Sequence, residues 1–177
     1  MKKIIMMVLM LLTISSPISV LAAEDENAVP TEIMQQYCQV NWEKCDVDTK
    51  KALNKLLANA VAEDLNISAP EIKYFQDRTE LLGYYDYGTN EIFINENNLF
   101  SAQYNYHPLC HEMRHVWQYS RAQNPQTEED IVFKYNFENY ISDDQYNDYI
   151  TQYIERDANI YADMLYMQLI DNVRASY

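Results

Sequence analysis

The three histidines of this chain stand at positions 107, 111 and 115. A spacing of four is a helical repeat, which brings such residues to one side of the helix with Cβ atoms roughly 5–6 Å apart. A helix through this stretch is therefore the first constraint on the fold. Within it, His111-Glu112-Met113-Arg114-His115 reads H-E-x-x-H. Two imidazoles one turn apart can hold a single metal ion, and zinc suits them. Glu112 lies about 100° round the helix from His111. That places it beside such an ion rather than on it, where a base acting on a water belongs.

Proline is well tolerated in a first helical turn and disfavours helical geometry at the residue before it. Pro108 thus predicts a helix from about 108 to about 121, with His107 at or before its cap as a capping or surface residue. A catalytic zinc takes three protein ligands and keeps a place for water. No histidine follows His115, so the third ligand is a carboxylate unless His107 or a cysteine is recruited. Glu155 is the best candidate, forty residues on. The small residues Ala158 and Ala162 on nearby faces would let two helices approach closely. Asp157 is its rival. Two residues further, it points about 200° away, so the two carboxylates do not face one ion together. Gln118, one turn past His115, either reaches the site or caps a packing surface. Val116 and Trp117 supply the apolar face a helix needs.

The amino terminus has a positive tip, Lys2-Lys3, an apolar run from Ile4 to about Ile14, and Val20-Leu21-Ala22-Ala23. That layout predicts a secretory signal peptide over 1–22, too short to span a bilayer comfortably. The remainder, 23–177, is long enough for one domain. The expectation is an exported protein, secreted or periplasmic, without stable membrane insertion. A formal net charge of −14 argues against nucleic acid and anionic membranes as partners. The 16 tyrosines suit half-buried surfaces; with no basic patch beside them, base stacking has little support. Cys38 and Cys45 would stand about 10.5 Å apart in one helix, too far to bridge. A disulfide between them needs a reversal near Asn41-Trp42 and leaves Cys110 as a buried thiol, though Cys110 pairing with either stays open.

Apolar spacing predicts a short helix over 31–39 and a longer one over 47–65, capped by Asp46 or Asp48. Its expected stripe is Ala52, Leu53, Leu56, Leu57, Ala60, Val61 and Leu65. Strands are expected at 71–76, 81–87 and 91–95, the last two joined in a hairpin by Gly88-Thr89-Asn90. Ile92 and Ile94 share one face of the third strand and Phe93 takes the other. The stretch 131–141 is ambiguous between helix and loop. From 143 to 173 the spacing is helical throughout and places Glu155 mid-helix. The fold class is α+β, a small antiparallel sheet packed on the motif helix and a long C-terminal helix.

H-E-x-x-H followed by E-x-x-A-[D/N], here Glu155 to Asn159, resembles the zincin metallopeptidases of the gluzincin type. It is similar to the ImmA/IrrE-like minimal peptidases and the HtpX-like membrane peptidases over about half the chain. The resemblance implies a minimal zincin-like domain with Zn2+ on His111, His115 and Glu155, and with Glu112 as general base. Asn159 takes the place of an Asp that orients a ligand histidine. The resemblance also implies a peptide or protein substrate, added as a strand to an edge strand ahead of the motif helix; 91–95 fills that slot. Relatives often stabilise the oxyanion with a downstream His or Tyr. Tyr149, Tyr153, Arg156 and Tyr140 are the candidates here. The function expected is an exported zinc-dependent peptidase. The alternative is a catalytically silent zincin-like module that binds or inhibits a partner in the cell envelope.

Overall fold

The computed structural model describes residues 33, 37, 40–78, 81–141 and 146–175, and from residue 40 onward the described residues form three strands, five helices and two 3-10 turns. The expected signal peptide, Cys38 and most of the expected 31–39 helix lie outside these residues; Ile33 and Tyr37 are helical. Cys45 carries a free thiol that donates to the Asn41 carbonyl at 3.5 Å; the bridge expected between it and Cys38 lies outside the described residues. Cys110 is a buried thiol, as expected.

Helix α1 spans Val47–Asp64, and Asp46 caps it by accepting from the Thr49 amide at 2.7 Å. Its buried face is turned from the predicted one: Asn54 and Ala58 face inward, while Ala52 and Leu56 face out. The cause is polar. The fully buried amides of Asn54 and Asn105 bond to each other, and both bond to the Tyr37 hydroxyl. Such groups persist in a core because they satisfy one another.

Strands β1 (Glu71–Phe75), β2 (Gly83–Asp86) and β3 (Glu91–Asn95) form a sheet of order β1-β3-β2. β2 and β3 form the expected antiparallel hairpin, and Asn90 takes the left-handed conformation at its turn with φ 57°. β1 joins β3 in parallel, so the sheet is mixed rather than antiparallel throughout. The end of β1 and the start of β2 both lie beside the end of β3, on opposite sides of it. Asn95 bonds to both flanks there: its amide donates to the carbonyls of Asp77 and Leu81, both at 2.9 Å. A second correction follows, because β3 is central and not the edge strand expected at 91–95. The outer strand beside the motif helix is β2.

Gly83 is required by close approach, since a Cβ there would lie 2.8 Å from the Phe93 carbonyl oxygen. Gly83→Ala is expected to destabilise the protein by about 1–3 kcal/mol through overpacking, read as a lower denaturant midpoint.

Helix α2 spans Gln103–Gln123 and includes Pro108, so it begins five residues before the predicted start. The proline removes the amide that would bond the Tyr104 carbonyl. Tyr104 is exposed, so solvent can serve that carbonyl. Packing supplies the rest, because Tyr106, Leu109, Cys110 and Met113 are all fully buried in the main core with Leu57, Val61, Ile92, Ile94, Ala162 and Leu165. Helix α3 spans Glu128–Glu138 and resolves the ambiguous stretch; Thr127 and Asp130 form a capping box at its start.

The expected C-terminal helix is broken. A single turn, α4, spans Tyr146–Tyr149, and α5 spans Tyr153–Ala175. Gln152 holds the break open by accepting from the Ile141 amide and donating to the Ile141 carbonyl, both at 2.8 Å. Glu155 therefore sits in the first turn of α5 and not mid-helix. α2 runs through the middle of the domain, touching β2, β3, α1, α3 and α5. Among the described residues no helix is long and apolar enough to cross a membrane.

Candidate functional site

Helices α2 and α5 pack antiparallel, and their four-residue repeats meet rung by rung. His115 faces Glu155, His111 faces Asn159, and His107 faces Asp163. Each step back of four on α2 is a step forward of four on α5. Fully buried Ala158 and Ala162 are the small residues that allow the approach.

At the first two rungs three ligand atoms converge. His111 Nε2 and His115 Nε2 are 2.9 Å apart. His111 Nε2 is 3.3 Å from Glu155 Oε2, and His115 Nε2 is 3.4 Å from Glu155 Oε1. The far side of each ring is occupied: the Asn159 side-chain oxygen lies 3.1 Å from His111 Nδ1, and the Gln118 side-chain oxygen 2.8 Å from His115 Nδ1. When each Nδ1 hydrogen points at its oxygen, each neutral ring presents a lone pair on Nε2. Two lone pairs and a carboxylate aimed at one point, all fully buried, need a positive charge between them. Among the described residues His111, His115 and Glu155 are the group that could hold a metal ion.

The electrostatics say the same. Burial pushes His111 down to about 4. Burial also works against charge on His115, yet the carboxylate of Glu155, with Glu112 behind it, outweighs it and holds the ring up at about 9. A proton there does in part what a cation would do. Burial works to raise Glu155 as well, but His115 and His111 hold its carboxyl well below the ordinary range. Two hydroxyls complete its shell, Tyr140 donating to Oε1 at 3.0 Å and Tyr149 to Oε2 at 2.8 Å.

Glu112 is the remaining member. It is fully buried beside the triad, and neither carboxylate oxygen has a hydrogen-bond partner. Burial pushes it up to about 8. A buried carboxyl group without a hydrogen-bond partner is rare in a folded protein, and once ionised it is a stronger base than an ordinary carboxylate. The Tyr85 amide of β2 works to lower it without making a hydrogen bond to it. Because the Asn95 amide donates to the Leu82 carbonyl, alternation along the hairpin turns the Tyr85 backbone groups away from β3 and outward.

Other candidates fall elsewhere. Asp157 takes two bonds from Arg114, at 2.8 and 3.1 Å, and does not face the triad. Tyr153 is exposed and donates to Glu129, and Arg156 is exposed on α5. Of the oxyanion candidates only Tyr149 and Tyr140 are at the site. His107 lies inside α2 rather than at its cap, but it bonds Asp163 at 3.0 Å and stays out of the triad. His107→Ala is expected to leave metal stoichiometry unchanged and to alter stability by about 0–1 kcal/mol, as loss of a partly exposed polar contact does; metal analysis and melting of the variant check both. Gln118, left open by spacing alone, belongs to the site through His115.

No curated protein and no solved structure matches the chain. Residues 26–135, which include α2 and its H-E-x-x-H, match the family described as "Putative metallopeptidase family (DUF6782)". That match covers more than half of the chain, so the protein belongs to this family, and His111, His115 and Glu155, the last beyond the matched residues, are able to hold a metal ion.

Proposed function

We propose that the protein is an exported zinc peptidase in which His111, His115 and Glu155 hold the ion and Glu112 is the general base. The observation that carries the reading is the partnerless, buried Glu112 carboxylate next to three converging ligand atoms. Zinc is favoured by the donor set, two imidazoles and a carboxylate, and by size. Tetrahedral bonds of about 2.0–2.1 Å set ligand atoms about 3.3 Å apart, close to the 2.9, 3.3 and 3.4 Å separations here. When bound, such an ion makes a water acidic near neutrality and polarises a carbonyl.

The residues do the rest. Glu112 accepts the proton of the attacking water and returns it to the leaving nitrogen. The Tyr85 backbone groups on the outer edge of β2 are placed to receive an extended peptide by strand addition. Tyr149 and Tyr140, released from Glu155, supply hydroxyl donors for charge developing on the carbonyl oxygen. The triad and Glu112 have no solvent exposure, so a substrate reaches them only when side chains around them move. The leader-like residues 1–22 support export.

The test is hydrolysis of unstructured peptides by purified protein loaded with zinc. Cleavage that stops with a chelator and returns with zinc is the expected result. Zinc binding without turnover on a broad peptide library would favour the catalytically silent binding module instead.

A further inference from the structure

Gln118 is fully buried on α2. Its side-chain oxygen faces His115 Nδ1 at 2.8 Å, while its amide nitrogen donates to the Ile154 carbonyl at 3.0 Å and to Asp157 Oδ2 at 2.7 Å. Asp157 takes two further bonds from Arg114, and the Arg114 guanidinium lies 3.7 Å from the centre of the Trp117 ring. We propose that Gln118, Asp157 and Arg114 form a positioning relay that holds the His115 hydrogen on Nδ1, keeps Nε2 open to the metal, and thereby sets the affinity of the site. This inference rests on the metal-site reading above and goes beyond it, since none of the three touches the ion.

The argument turns on the two ends of an amide. Turned by 180°, Gln118 would aim its N–H groups at Nδ1. The ring would have to accept there and carry its hydrogen on Nε2, which would close the lone pair a metal requires. The turn is blocked because the Gln118 oxygen would then meet two acceptors, the Ile154 carbonyl and the Asp157 carboxylate. Such buried acceptor pairs are costly. Arg114 anchors Asp157 through a two-point pair, and Trp117 packs against the guanidinium. The carboxylate that commonly backs a ligand histidine directly is thus placed one amide further out. Arg114 and Asp157 occupy positions that the H-E-x-x-H and E-x-x-A-[D/N] patterns leave free.

The experiment uses the full chain, stripped of metal. Zinc affinity is measured by competition with a chromophoric chelator, and the visible spectrum of the cobalt-loaded protein reports ligand geometry. Far-ultraviolet circular dichroism of the metal-free variants monitors the fold. Gln118→Ala and Asp157→Asn should each weaken zinc about 10- to 100-fold and shift the cobalt bands, with the circular dichroism unchanged. Gln118→Glu alone sets two carboxylates against each other and should also weaken binding. Combined with Asp157→Asn it should regain part of the loss, because the new amide at 157 can donate to the new carboxylate at 118 while the Ile154 carbonyl still opposes it. That pair also decides the matter if Gln118→Ala does not fold. Affinities within about twofold of the unmodified protein in both first variants, far from the loss expected of a partner to a ligand histidine, overturn the relay. So does a pair no better than Gln118→Glu alone. An unmodified chain that takes up no zinc or cobalt instead overturns the metal-site reading itself.

Discussion

Glu112→Gln should leave a folded protein that still takes up metal but hydrolyses peptide bonds about 100- to 10,000-fold more slowly, the usual contribution of a positioned general base. The substitution keeps the size of the side chain and removes its capacity to accept a proton. Folding should be spared, because the carboxylate oxygens of Glu112 have no hydrogen-bond partners to lose. The loss should fall on kcat, since Glu112 acts on the reacting water and does not grip the substrate. Initial rates on an unstructured peptide, measured beside metal content, check both halves. Retained activity in Glu112→Gln removes the general-base assignment and, with it, the hydrolytic reading of the site.

The second large effect is on stability. Three buried acceptors aimed at one another are held apart from repulsion only in part by a proton on His115. An ion that binds the folded state and not the unfolded one adds about 2.7 kcal/mol at a concentration one hundred times its dissociation constant. For a domain of this size that corresponds to a rise in melting temperature of roughly 5–10 °C. Zinc should therefore raise the melting temperature by this amount, and chelation should reverse it. Glu155→Ala should abolish the zinc-dependent rise, because two imidazoles alone do not complete the site. It also leaves the hydroxyls of Tyr140 and Tyr149 without their acceptor, so the metal-free variant should melt below the metal-free parent. Differential scanning fluorimetry with and without zinc separates the two effects. A full zinc-dependent rise in Glu155→Ala would mean that the third ligand lies elsewhere.

The parts of this site that were legible in the sequence are those set by local repeats. The four-residue spacing of His111 and His115 required one helix, and Glu155 stood out through its own motif. The same spacing runs through Glu155, Asn159 and Asp163, and set against His115, His111 and His107 it spells the antiparallel register of α2 and α5. The stretch 131–141 reads as ambiguous between helix and loop, and the Thr127-x-x-Asp130 pattern ahead of it is the signal that marks the start of α3. Other features depended on contacts between distant segments. Pro108 pointed to a helix start, yet the burial of Tyr106 and Leu109 outweighs one lost hydrogen bond and local preference yields. Aromatic spacing continues unbroken from Tyr146 to Tyr161, so nothing local marks the interruption that the Gln152 side chain makes by clasping Ile141. That interruption lets Tyr149 turn back onto Glu155. The central place of β3 goes with Asn95 bonding to both of its flanks, and strand order of this kind is written in long-range contacts rather than in the alternation of a strand.

The most direct measurement is an anomalous-scattering map, collected at the zinc edge from crystals of protein grown with zinc. The account predicts one strong peak enclosed by His111 Nε2, His115 Nε2 and the Glu155 carboxylate, with Glu112 beside it and uncoordinated. A triad without a peak, or an ion seated at His107 and Asp163 instead, would contradict it.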